Sequence, residues 1–289
     1  MTHPDNLLPE QALARLVIQV SPFTGISYFH ALLKALSGLL EADIAIVAEI
    51  IAEGTQARTV SVFMDGEKAE NFEFELNGSP FTSCNIGRLT MYPKNVVDFF
   101  PDDYLLIDLS VEGFAAMPLV NSQKQGTGFL AVMFHSAIVN QQHIEPAFGA
   151  IAERVAAELD QKREFDKLRE IESYFIGIAD LTKDVILVIT LRGEIRFASF
   201  TASALFGHNP GELTGHHFCD LLTEDTRLLG KQEFEKFIAS GETQFNIDLK
   251  VDHPKNHTHA IRLWVVKTNT GHEVTGCVGI IEGCREKEV

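Results

Sequence analysis

The chain has 289 residues, enough for about two domains at roughly 150 residues each. Its 45% hydrophobic and 22% charged residues sit near the globular averages of about 45–50% and about 25%, which excludes disordered, collagen-like and mucin-like chains. Forty Asp and Glu against 24 Lys and Arg leave a net charge of -16, which repels phosphates and anionic lipid, so neither nucleic acid nor membrane is an expected partner.

Four scattered cysteines, Cys84, Cys219, Cys277 and Cys284, form no CxxC pair and predict a reducing compartment, with cytoplasm as the expected location. Residues 1–10 carry no basic run before an apolar stretch and do not read as a secretory signal. The longest apolar runs, 42–51 and 126–139, are interrupted by Asp43, Glu49 and His135 and fall short of the roughly 20 residues that span a bilayer.

Residues 1–26 are read as an N-terminal segment and 27–143 as a first domain. Phe29, Leu32, Leu33, Leu36, Leu39 and Leu40 recur at three- and four-residue steps, which predicts a helix with one buried stripe over 28–40. The runs 44–51 and 58–64 read as paired strands. Phe72, Phe74 and Leu76 alternate with glutamates as a further strand, ended by Asn77, Gly78, Ser79 and Pro80, after which a loop or crossover is expected. The runs 114–120 and 128–134 flank a turn-rich stretch and predict a closing hairpin.

Residues 144–176 read as a connector helix, with Ile144, Phe148, Ile151, Val155, Leu159, Phe165, Leu168 and Phe175 along it and Pro146 near its start. The expectation is a two-chain coiled coil using Ile151, Val155, Leu159 and Leu168, loosened where Lys162 takes a seam position. A helix folded back on one domain is the alternative. Residues 177–289 read as a second domain, with strands at 185–189 and 194–197, helical pieces at 202–206 and 233–238, and strands at 243–251, 259–267 and 273–281. Grouped strands and helices predict an α+β class with an antiparallel sheet in each half.

Several landmarks carry a family resemblance. Leu76, Gly78, Ser79 and Pro80, then Phe99, Phe100, Pro101 and Asp103, then Gly113, Phe114, Met117, Pro118 and Leu119, then Gly128, Phe129 and Leu130 follow one another as in a GAF domain. The first half resembles that family over about 27–159, with Ala116 at a common Gly and Phe81 where the related subgroup often has Cys. Gly193, Ile195 and Phe197, followed by Ala204, Leu205, Phe206, Gly207, Glu212, Leu213 and Gly215, resemble a PAS domain. Thr190 and Ser199 depart from that pattern, as do Gly283, Cys284 and Arg285 at its exit. Together these resemblances imply a tandem GAF-PAS sensor: two antiparallel-sheet sensor domains, GAF-like then PAS-like, joined by a long helix.

The resemblance implies a ligand pocket in each half. In the GAF-like half it would be lined by Phe74, Phe81, Cys84, Phe100 and Phe114, and in the PAS-like half by Phe197, Phe206, Phe218, Cys219 and Trp264. The stretch 215–220 lacks the Asn and Arg beside the Cys of a PAS-class flavin photosensor, and no Cys is followed by His as in a bilin site. His216, His217 and Cys219, or His253, His257 and His259, have metal-ligand types but match no metal motif. No metal is therefore expected and the cofactor is left open. Neither a nucleophile elbow, nor a phosphate loop, nor a phosphoacceptor box is present, so an enzyme is not expected. The sequence predicts a homodimeric signal-sensing protein whose small ligand or partner biases helix packing. The alternative is an input half or adaptor of a histidine kinase or diguanylate cyclase system, acting on a signalling output protein through contact alone.

Overall fold

The structure, a computed structural model, describes residues 9–84, 88–253, 257–271 and 273–283. The chain divides into two units, Met1–Lys167 and Leu168–Val289.

The first unit opens with helices α1 (Pro9–Val20) and α2 (Gly25–Leu40). Strands β1 (Ile44–Ile51), β2 (Gln56–Met64), β3 (Glu67–Ala69), β4 (Glu73–Glu75) and β5 (Thr90–Tyr92) follow, then short helices α3 (Val96–Phe99) and α4 (Tyr104–Asp108). Strands β6 (Gly113–Val120) and β7 (Gly126–Phe134) lead into helix α5 (Gln141–Leu181). The sheet is antiparallel in the order β3-β2-β1-β7-β6-β5, with β4 also on β2, so the first strand lies beside the last.

Both faces of this sheet are covered, which is why its central strands are near-continuous apolar runs. Ala45, Val47, Leu130 and Val132 point to one core with Leu32, Leu36, Phe148 and Val155 from α2 and α5. Ile44, Ile46, Ala131 and Met133 alternate to a second core with Phe81, Val96, Leu106 and Phe114. The landmarks have local causes. A Cβ at Gly128 would collide with the backbone oxygen of Ala48 on the neighbouring strand. Ser79 donates its hydroxyl to the Leu76 carbonyl at 2.6 Å, and Asp103 caps α4 by accepting from the amides of Leu105 and Leu106.

Three expectations are corrected. The first domain begins before residue 27, because α1 buries Leu16 and Val20 in the core. The stretch read as a loop or crossover after Pro80 holds β5, α3 and α4, elements too short to show a period. The expected seam is also different: Ile151, Val155 and Leu159 lie in the core of their own chain at 2%, 0% and 0% exposure, so α5 folds back on the first unit there. Lys162 marks the change in role, with its ammonium 3.3 Å from the buried Glu49 carboxylate and 2.7 Å from Asp166. Leu168 remains exposed.

The second unit contains β8 (Val185–Ile189), β9 (Ile195–Ala198), α6 (Ala202–Phe206), α7 (Pro210–Leu213), α8 (Glu224–Ala239), β10 (Gln244–His253), β11 (His257–Thr270) and β12 (Glu273–Gly283). Its antiparallel order is β10-β11-β12-β8-β9, again with the first strand beside the last. Gly193 turns the β8–β9 connection at φ +84° with its α-carbon against the His217 ring, so a side chain there meets both strain and a clash. Asn209 and Glu212 form a reciprocal cap on α7. Phe206, Leu213, Phe218, Phe234 and Phe237 pack on the inward row Ile261, Leu263 and Val265. Helix α8 is longer than the predicted piece because its first two turns carry Leu228 and Leu229 exposed and show no buried stripe.

Candidate functional site

The strands of the second unit alternate over most of their length, and among the described residues it is the inward row that joins the core. Strand register lines the outward residues into two rows. Ile186, Ile280, Trp264 and Asn246 form one, and Phe197, Val188, Val278 and Val266 form the other. Trp264 and Ile280 are each 38% exposed and Val266 45%, while Ile186, Val188 and Val278 are half-buried. Arg262 closes one end with a two-point contact to Asp248, at 2.7 and 3.0 Å. An apolar centre with a charged rim is the composition of an association surface.

The helical residues of this unit continue the patch. Leu168, Ile171, Phe175 and Ile178 recur at steps of three, four and three, with Leu168 at 66% and Ile178 at 64% exposure. Phe175 packs its ring 5.4 Å from that of Phe197. The helix end is tied down where the Phe200 amide donates to Asp180 at 2.9 Å and Ala179 is buried.

The expected PAS-like pocket residues therefore fall on two sides of one sheet. Phe206, Phe218 and Cys219 lie in the core, whereas Phe197 and Trp264 face outward, a correction that follows from the two-residue strand period. Phe218 packs edge-on to Phe234 with centroids 5.1 Å apart. Burial, with Asp220 nearby, pushes the Cys219 thiol up to about 12, and burial also raises that of Cys277, so both behave as small apolar groups. His217 stacks on Phe218 and accepts from the Cys219 amide at 3.1 Å, so its Nδ1 caps the single helical turn Phe218–Leu221. His253 and His259 have ring centroids 6.3 Å apart, while residues 254–256 and Cys284 lie outside the described residues.

In the first unit the expected pocket residues form a continuous chain of rings. Phe74 touches Phe81 at 5.0 Å, Phe81 touches Phe114 at 5.1 Å, and Tyr92 joins Phe114 to Phe100. Phe129, 5.1 Å from Phe81, and Tyr92 belong to this cluster and were absent from the expected set. Phe129 stands in a strand landmark and Tyr92 inside the stretch expected as loop or crossover, so residue order alone did not join them to it. As arranged, these rings fill the space against the sheet. Cys84 is half-buried, its thiol raised by burial, with Sγ 3.7 Å from the Pro80 carbonyl. A separate groove of about 520 Å³ opens between α1, α2 and the start of α5, with Leu13, Leu39, Lys34 and His143 in its wall.

Comparison with known proteins fixes the second unit. A family model for the PAS fold matches residues 175–282. Those residues form a PAS domain. Among solved structures, the PAS domain of a protein from Colwellia psychrerythraea is similar at 17% identity, covering 39% of this chain and 97% of that one with a TM-score of 0.36. The PAS domain of an HTR-like protein from Haloarcula marismortui is similar at 14%, covering 43% and 99% with a TM-score of 0.36. That of Bordetella pertussis BvgS is similar at 14%, covering 41% and 89% with a TM-score of 0.35. No curated protein matches the chain. Among the described residues, no helix is long and apolar enough to cross a membrane.

Proposed function

We propose that this chain is a sensory and regulatory module without a reaction of its own, working as a homodimer in the cytoplasm. The PAS domain supplies the pairing surface, and the first unit, read as GAF-like, supplies a second input to α5. The observation that carries this reading is the exposed apolar face of the PAS sheet, continuous through the Phe175–Phe197 contact with the Leu168–Ile178 stripe. The favoured occupant is a second copy of the same face. It already carries the heptad-like spacing of a paired helix, and burying side chains of this size contributes about 1.5–3 kcal/mol each. A signal that changes the PAS domain would shift the packing of the paired helices and so be passed to an output protein by contact.

The lone tryptophan, Trp264, makes the test direct. Light scattering on the full chain is expected to give twice the chain mass, and Leu168→Glu with Ile178→Glu to halve it and move Trp264 emission to the red. A monomeric wild type, or a double variant that stays dimeric, would overturn the reading. A small molecule released on denaturing the purified dimer would place the signal in a bound ligand rather than in partner contact.

A further inference from the structure

Three neighbouring strands of the first sheet end together, and each end carries a metal-ligand side chain. Ile44 at the start of β1 is paired with Met64 on β2 and Met133 on β7. One step further, Asp43 and Asp65 are joined by the Asp65 amide donating to the Asp43 carbonyl at 2.8 Å. His135 follows β7 directly and donates its amide to Asp43 Oδ2 at 2.7 Å. One donor atom from each of Asp43, Asp65 and His135 lies within 4.8 Å of the others, with His135 Nδ1 3.9 Å from Asp43 Oδ2. Among the described residues neither carboxylate is paired with Lys or Arg.

We propose that Asp43, Asp65 and His135 form a binding site for a divalent first-row transition-metal ion such as Zn²⁺. The donor set chooses the class. Ca²⁺ requires six to eight oxygens and Mg²⁺ a near-ideal oxygen octahedron, whereas one imidazole with two carboxylates suits zinc and its neighbours. Donors on a tetrahedral ion with bonds of about 2.1 Å stand about 3.4 Å apart, so the side chains close by about 1 Å on binding. Asp65 and His135 are exposed and Asp43 half-buried, which leaves them room to rotate and leaves the remaining coordination positions to water. The ion replaces repulsion between two carboxylates with attraction to both and links the ends of β1, β2 and β7.

The register explains why sequence order does not show this set. The three residues are 22 and 70 positions apart and meet only because β1 pairs with both β2 and β7.

The experiment is a calorimetric titration of the chelator-treated full chain with Zn²⁺, repeated in excess Mg²⁺, with Co²⁺ absorption as a readout of the donor set. One equivalent is expected to bind with micromolar affinity, unaffected by Mg²⁺ and with the visible spectrum of a nitrogen-and-oxygen site. Asp65→Asn and His135→Gln are each expected to weaken it by at least about tenfold while circular dichroism stays that of the wild type. No binding at submillimolar Zn²⁺ would overturn the proposal. So would binding that survives both substitutions, which would assign the ion to another histidine group such as His253 and His259.

Discussion

The two sheets obey the same topological rule and differ in what covers them. Each places its first strand beside its last, β1 against β7 and β8 against β12. The first is sandwiched between two cores, with six consecutive residues of β1 buried, whereas the second alternates between an inward core and an open outward face. A sheet buried on both faces is finished within its own chain. A sheet with Trp264, Val266 and Ile280 facing outward has apolar area left for another surface, and the PAS domain is accordingly where association is expected.

The largest expected effect tests that asymmetry. Phe114 is fully buried between Phe81 and Tyr92, so Phe114→Ala is expected to destabilise the first unit by about 3–5 kcal/mol. Trp264→Ala on the open face is expected to cost the monomeric double variant far less and to weaken pairing in the wild type. Urea denaturation followed by circular dichroism measures both. Equal costs in the monomer would mean that the outer face is also core and would break the comparison.

A smaller effect is expected where α5 closes over the first sheet. Glu49 is buried, 2.8 Å from the Arg58 guanidinium and 3.3 Å from the Lys162 ammonium. Glu49→Gln removes the charge these two groups share and leaves Lys162 partly buried without it, at a cost of about 1–3 kcal/mol. Denaturant midpoints of the two variants, Glu49→Gln and Glu49→Gln with Lys162→Met, separate the cases. The second substitution should restore part of the loss, and no restoration would show that Lys162 is indifferent to Glu49.

The same contrast governed how much could be read in advance. Alternation and apolar runs marked most strands within a few residues, and Gly193 with Gly215 marked the PAS turns, because those signals are local. Which side a residue faces across the sheet was harder. Phe197 and Trp264 were expected beside Phe206, yet strand parity sends them outward. Leu159 and Leu168 share one helix and one residue type, but the first is core and the second exposed, and helical spacing is blind to which neighbour fills the groove. Elements of three to five residues, such as β5 and α4, are held by pairing and capping rather than by any pattern of their own.

The least expected effect, and the finest test of how closely the first sheet is covered, is a pH dependence at His30. Its Nδ1 lies 2.6 Å from the hydroxyl of buried Ser61 on β2, and burial, with Lys68 adding repulsion, holds its pKa below the ordinary 6.5. The charged form is therefore disfavoured in the folded chain, and the unfolded chain binds more protons between the folded pKa and 6.5. Stability then rises with pH across that interval, is complete above it, and falls as acid protonates the imidazole. Because the ring is only half-buried, the change should be small and should shrink further as salt screens Lys68. Urea midpoints taken from pH 7.5 down to 5 should drop more steeply in the wild type than in His30→Asn, which keeps a hydrogen-bonding group beside Ser61 but cannot titrate. Parallel curves would mean that the ring swings out to water when protonated, and that α2 lies less tightly on the sheet than its hydrogen bond to Ser61 implies.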